Sequence, residues 1–428
     1  MRKSIRVTAA TLTLALGGLG LVACSSSSPA PGSPGAADAT IPADQYGPIT
    51  VVQGKDNNGV LPKYAALWNK DHPDQKVTFK EQSDQADQQL QDLLQNFQQK
   101  LPDYDVVSTD VVWTQQLASQ GYLQPLTGPY KLDESGVLPS VLATSMYRDV
   151  QYAAPSSTDA QILYYRKDWL GDKPVPTTYD EMFSLCDIAK SKGAGCYAGQ
   201  FAKYEGLTVN FSEAVNSAGG SVVNDKGQPT LDTPEAKKGL ETLVNGFKDG
   251  DIPRQAISYQ EEPGRQAFES GKLMFYTNWP YQYSLTTTGD QSFAKDDPSA
   301  LGIAPFPGKS SLGGHNWAIS MFSKHKGTAL EFLKWYQTAE IQKMGVEEAS
   351  SAPVLASVYD DAELAKQFPY LPTLKKSLDN AVPRPASPFY QAVSTAIQNN
   401  AYAALQGNKS VDQALSDMST AIKQASGS

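Results

Sequence analysis

The 428 residues hold only three histidines, His72, His315 and His325, the side chains best suited to proton transfer near neutral pH. No G-x-S-x-G nucleophile elbow, H-E-x-x-H zinc helix or glycine-rich phosphate loop occurs. Carboxylates are plentiful, so a glycosidase-type acid pair stays open, because only their separation in space decides it. Catalytic residues are otherwise scarce, and the remaining candidates suit recognition better than reaction.

Two stretches carry that recognition chemistry. Phe275–Tyr283, "FYTNWPYQY", gathers five aromatic rings around a proline. A strand over Leu273–Tyr276 running into Asn-Trp-Pro would leave Trp279 at a strand end, where α/β folds line their ligand crevices. A flat indole covers the C–H face of a sugar ring while nearby polar groups hydrogen-bond its hydroxyls. The competing reading is that Trp279 and Tyr281 are core aromatics. Gly313-Gly-His-Asn-Trp317 precedes an apolar strand expected at Ala318–Met321. Its glycines permit close backbone approach to another strand or a ligand, or only a tight turn.

These residues sit among alternating elements. Strands are expected at Ile49–Val52, Lys76–Lys80 and Asp105–Asp110. Helices are expected at Leu61–Asp71, Ser83–Gln99 and Thr114–Gly121. That order predicts a mainly parallel sheet with helices on both faces. Thr178-Tyr-Asp-Glu181 reads as a capping box before a Met182–Ser191 helix. Thr233-Pro234 opens another helix, and Ser410-Val-Asp-Gln413 caps the last one. No repeat and no long internal linker separates two halves.

The N-terminus fixes the compartment. Arg2, Lys3 and Arg6 precede an uncharged run, Val7–Val22, which reads as an export signal and is short for a membrane span. Leu21-Val-Ala-Cys24 resembles the lipobox of bacterial lipoproteins, which implies cleavage before Cys24 and acylation of it. A flexible Ser/Pro/Ala/Gly tether, residues 24–45, would follow. Residues 1–23 contribute +3 to a net charge of −9, leaving −12 on the other 405, too many for one ordinary core and too acidic for nucleic acid. In an exported chain Cys186 and Cys196 are expected to pair, the alternative being two buried thiols. Without a nearby His or carboxylate cluster they do not complete a metal site.

Further stretches carry a family resemblance: "DVVSTDVVWTQQLASQGYLQPL" (105–126), "YAAPSSTDAQILYYRKDWL" (152–170), "AFESGKLMFYTNWPYQY" (267–283), "GGHNWAISMFSKHKGTALEFLKWY" (313–336) and "RPASPFYQAVSTAIQNNAYAALQGNKSVDQALSDM" (384–418). With the lipobox they span nearly the whole chain, which resembles the extracellular solute-binding proteins of ABC sugar importers, of the maltose/trehalose class. The trehalose-recognising lipoproteins are most similar. The resemblance implies an α/β two-lobe clamp with discontinuous lobes, 46–155 plus 316–348 and 156–315 plus 349–428, joined by a hinge. It implies capture of an α-linked glucose disaccharide between the lobes for an ABC permease. The chain would be a monomer anchored on the extracytoplasmic face of the cell membrane, with no cofactor, no metal and no catalysis. The alternatives are a cell-surface glycoside hydrolase or an acidic binder of peptides or polyamines.

Site residues carry over singly from that resemblance. Asp110 is similar to an acid accepting sugar hydroxyls, its other reading being a helix N-cap. Asp159 stands where some relatives carry Asn. Glu205 matches the acid of a "YEGL" motif, and Trp279 and Tyr281 match a W-P-Y motif. Gly314 would offer its backbone N–H. His315 stands where relatives often carry Trp. Arg384 matches a pocket arginine, and Asn57 follows the first strand.

Overall fold

The computed structural model describes residues 40–224 and 226–426. The expected signal, Cys24 and most of the tether lie outside these. Packing begins before the expected end of the tether: Ile41 lies against the core, and Gln45 accepts a hydrogen bond from the Tyr130 hydroxyl at 3.1 Å.

In chain order the strands are β1 (Ile49–Gln53), β2 (Val77–Glu81), β3 (Val106–Asp110), β4 (Met146–Tyr147), β5 (Val150–Gln151) and β6 (Ala154–Ala160). Then come β7 (Ile162–Arg166), β8 (Gly195–Ala198), β9 (Leu273–Asn278), β10 (Leu301–Pro305), β11 (Ser311–Ile319) and β12 (Val382–Pro383). The larger sheet runs β12-β11-β3-β1-β2, with β6 also on β11; the smaller runs β10-β7-β9-β8, and β4-β5 form a separate hairpin. The expectation of a mainly parallel sheet is corrected. β1 is parallel to β2 and β3, but β11 runs antiparallel to β3 and β6, and β7 antiparallel to β9 and β10. The physical reason is connectivity: β6 and β11 join one sheet to the other, so they are not returns through a covering helix.

Alternation along the strands builds a core on each face of the larger sheet. Val52 and Val107 face one side, against Leu90, Leu93 and Phe97 of the Ala86–Gln98 helix. Val51 and Val106 face the other, against Trp68, Leu330 and Phe332. Burying one such valine contributes ~1.5–3 kcal/mol. The smaller sheet lies in a third core, with Tyr164, Tyr197, Phe275 and the C-terminal helices.

Local signals hold with shifts. The Thr178 hydroxyl accepts from the Glu181 N–H at 3.2 Å, but Glu181 reaches back to the Thr177 N–H at 2.8 Å, one residue earlier than a capping box requires. The expected Met182–Ser191 helix is two short ones, Tyr179–Ser184 and Cys186–Ser191. A disulfide joins Cys186 to Cys196. The strand expected at Ala318–Met321 instead begins at Ser311, so the glycine pair lies within β11.

Candidate ligand-binding site

A cavity of about 320 Å³ opens between the two sheets, at the low end of the range for small-molecule sites. Asn57, Asp110, Asp159, Glu205, Trp279, Tyr281, Gly314, His315 and Arg384 all line it. Different elements deliver them. Asp110 ends β3, Asp159 lies near the end of β6, and His315 sits mid-β11 opposite Asp110. Glu205 opens the Glu205–Ser217 helix, Trp279 directly follows β9, and Arg384 directly follows β12.

Arg384 is the electrostatic centre. Its Nη2 donates to Asp110 Oδ1 and its Nη1 to Glu205 Oε1, both at 2.6 Å, and its side chain is 2 % exposed. One guanidinium thus joins a strand end of the larger sheet to the helix that opens at Glu205, in the planar fork that suits carboxylates. Burial would disfavour the cation, but Asp110, Tyr390 and Glu205 hold its pKa well above the ordinary arginine value. Glu205 also accepts from Ser394 Oγ at 2.5 Å and from the Tyr390 hydroxyl. Burial nevertheless pushes its carboxyl up to about 7, against the pull of Arg384. Asp110 has a second duty, since its Oδ1 accepts from the Val112 N–H at 3.2 Å in the turn before the next helix.

The aromatic wall depends on two glycines. A Cβ on Gly313 would lie 2.7 Å from Trp279 Cζ3 and 3.3 Å from the Asp159 Cβ, so only glycine lets the indole and Asp159 flank one spot. Gly314 has φ +110° and lies against Ser157, where a Cβ would meet the carbonyl oxygen at 2.3 Å; the β6–β11 register shifts immediately after, between His315 and Asn316. The Trp279 backbone carbonyl is held by the Tyr164 hydroxyl at 3.1 Å, and Tyr281 donates to Glu262 at 2.8 Å. The Asp159 carboxyl has no hydrogen-bond partner among the described residues, although its backbone pairs with Gly313. Burial pushes its carboxyl up to about 7, with Asp110 adding to the rise and Arg384 opposing it. Burial lowers the His315 pKa, which keeps the ring neutral at pH 7.

Sequence reasoning missed several parts. Asn57 is exposed on the rim, whereas its neighbour Asn58 reaches the far wall, donating to Ser284 Oγ at 2.7 Å. Tyr390, Ser394 and Gln398 form a polar stripe at four-residue spacing in the Tyr390–Leu405 helix, and Gln398 donates to Ser394 at 2.9 Å. Their four-residue spacing, which puts all three on one helix face, was the signal for a buried polar stripe. Glu261 also lines the cavity and accepts from the Tyr204 hydroxyl at 2.7 Å; no local pattern marks it. Among the described residues no group of three or more His, Cys, Asp or Glu side chains is placed to hold a metal ion.

This arrangement, a cleft between two sheets lined by acids, one guanidinium and an indole, can grip a small polar ligand. Known proteins are similar throughout. A probable ABC transporter-binding protein of Deinococcus radiodurans is 29% identical over 349 residues, 77% of this chain and 81% of that one. A mannitol-binding protein of Pseudomonas aeruginosa is 26% identical over 73% of this chain and 78% of its own. The solved structure of maltose-bound MalE3 of T. maritima superposes with a TM-score of 0.83 at 29% identity, covering 88% of this chain and 99% of that one. The GacH receptor of Streptomyces glaucescens, solved unliganded and with acarbose, gives 0.78 at 25% identity over 89% and 98%. The fold is the two-lobe clamp of such binding proteins, and these relatives serve transport rather than catalysis. Because residues 53–343 match the family described as bacterial extracellular solute-binding protein, this chain belongs to that family.

Proposed function

We propose that this ABC transporter sugar-binding protein captures an α-linked glucose disaccharide, trehalose or maltose, and delivers it to its permease from a lipid anchor on Cys24. The observation that carries the ligand reading is the wall at Gly313, where the Trp279 indole and the Asp159 side chain flank one spot of the cavity that also holds the Asp110–Arg384–Glu205 bridge. Sugar hydroxyls donate to carboxylates and accept from a guanidinium, each charged hydrogen bond being worth about 1.5–3 kcal/mol. The indole covers the apolar ring face, which a peptide or polyamine would leave unused. Asp110, Asp159, Glu205, Trp279, Tyr281, Gly314, His315 and Arg384 are the proposed contacts, with Asn57 at the rim. The lobes divide along the two sheets, and differential contacts favour the closed state that the permease reads.

Calorimetry with a panel of α- and β-linked disaccharides, mannitol and spermidine tests this reading. Binding confined to α-glucosides is expected; a panel in which none of them binds rejects the ligand. Sugar recovered intact after long incubation is expected, and released monosaccharide would favour the hydrolase alternative. Metabolic labelling with a fatty acid is expected to mark the exported protein and to fail for Cys24→Ser.

A further inference from the structure

The chain passes between its two sheets at Gln161, between β6 and β7, and again between β10 and β11. It returns to the larger sheet at β12. All three passages meet at Ser310. Its hydroxyl accepts from the Gln161 N–H at 2.8 Å, and its carbonyl accepts from the Val382 N–H at 2.8 Å. Ser310 in turn meets one carboxyl side chain, Glu213, its hydroxyl shared with the Ser311 carbonyl at 3.1 Å. Glu213 Oε1 accepts from Ser310 Oγ at 3.2 Å and from the Ser311 N–H at 3.0 Å. Glu213 is fully buried, and its other oxygen has no hydrogen-bond partner among the described residues.

Glu213 lies on the helix that begins with Glu205, two turns and ~12 Å further along it. Val209, between them, lines the ligand cavity. One rigid rod therefore carries a cavity acid at its start and the fastening of the crossing strands near its end. The titratable and charged groups acting on Glu213 are the Tyr179 and Tyr197 hydroxyls and Arg384. Burial pushes its carboxyl up to about 8, with Ser311, Ser310 and Arg384 opposing. At neutral pH its unpartnered oxygen then carries a proton, not a charge.

We propose that Glu213 is a positioning residue that fastens the three crossing strands and sets the closed-to-open equilibrium of the clamp. A rotation of one sheet against the other must turn the chain at Gln161, Ser310 and Val382, so it must disturb the hydrogen bonds that Glu213 organises. Opening lets water reach the carboxylate and lowers its pKa. Closure therefore binds a proton more tightly than opening does, and the closed fraction falls as pH rises towards about 8 and levels off beyond it. This goes beyond the sugar reading and rests on the two-lobe fold alone.

The test is the label separation in the full-length protein carrying a donor–acceptor dye pair at Lys70→Cys and Lys238→Cys, exposed positions in the two halves. It is read between pH 6 and 9, with and without trehalose. In the otherwise wild-type chain the closed-to-open ratio is expected to fall about fivefold or more across this range. Glu213→Gln keeps an acceptor and cannot ionise, so its ratio is expected to fall clearly less with pH than the wild type's, the remaining slope belonging to Asp159 and Glu205, which also titrate at about 7 in the cavity. Glu213→Ala, if it folds, is expected to be open already at pH 6. A Glu213→Gln protein that opens with pH in parallel with the wild type overturns the proposal, as does a wild type that does not respond to pH. Failure of trehalose to change either protein counts against the sugar reading only, because the pH response is read without ligand as well.

Discussion

Asp159→Asn should make the protein more stable at pH 8 and leave it unchanged at pH 4. The Asp159 carboxyl rises from its ordinary 3.8 to about 7 in the fold, because burial outweighs the opposing Arg384. A group whose folded pKa is raised favours the fold while protonated. That contribution is complete below pH 3.8 and is lost as pH climbs through about 7. At about 1.4 kcal/mol per pH unit the full loss approaches ~4 kcal/mol. Asp159 keeps part of its surface open to the cavity, where water screens it, so about 1–3 kcal/mol is expected. Asparagine has the same shape and no charge, so it removes this penalty. Urea unfolding of both proteins, followed by tryptophan fluorescence at pH 4, 6 and 8, isolates the effect, since all other titrating groups are common to both. The midpoint difference should grow from near zero to its full value between pH 4 and 8. An Asn variant that tracks the wild type at every pH, or is less stable at pH 8, refutes the argument. A gain in stability should come with weaker sugar binding, because an amide offers one acceptor oxygen where the carboxylate offers two.

Trp279→Ala should abolish sugar binding in calorimetry while the unfolding midpoint moves little, because the indole lines the cavity and is only partly buried. Gly313→Ala should weaken binding by displacing the same indole, with its Cβ 2.7 Å from Cζ3; unaltered affinity would free the wall from that geometry. Arg384→Met should lower stability by about 3–5 kcal/mol at pH 8, since it leaves Asp110 and Glu205 buried without their cation, and the deficit should shrink at pH 4, where Glu205 is protonated. Reducing the Cys186–Cys196 bond, which spans a separation of 10 residues, should cost roughly 2–3 kcal/mol in the unfolding free energy.

What the sequence made legible, and what it did not, follows the range of the forces involved. The apolar run Ile49-Thr-Val-Val52 and the three- and four-residue spacing of Leu90, Leu93, Leu94 and Phe97 are local, so β1 and the Ala86–Gln98 helix are near where pattern alone puts them. The direction of β11 is not local. Gly313–Trp317 reads either as a turn or as a close approach to another strand or a ligand, because two glycines serve both and nothing local decides between them. Within β11 they serve close approach: Gly313 makes room for Trp279, and Gly314 for the Ser157 carbonyl. Both reasons lie more than thirty residues away in the chain. The cavity acids were visible as residue types, but their balance was not. Asp110, Glu205 and Arg384 are separated by up to 274 positions, and only the folded crossing brings one guanidinium between two carboxylates. Glu213 shows the limit most plainly. Nothing near it in the sequence distinguishes it from a solvated helix acid, yet it is fully buried and carries the hydrogen bonds on which the crossing strands meet. A residue that acts through the geometry of three distant segments has no local signature, and a hinge is made of such residues.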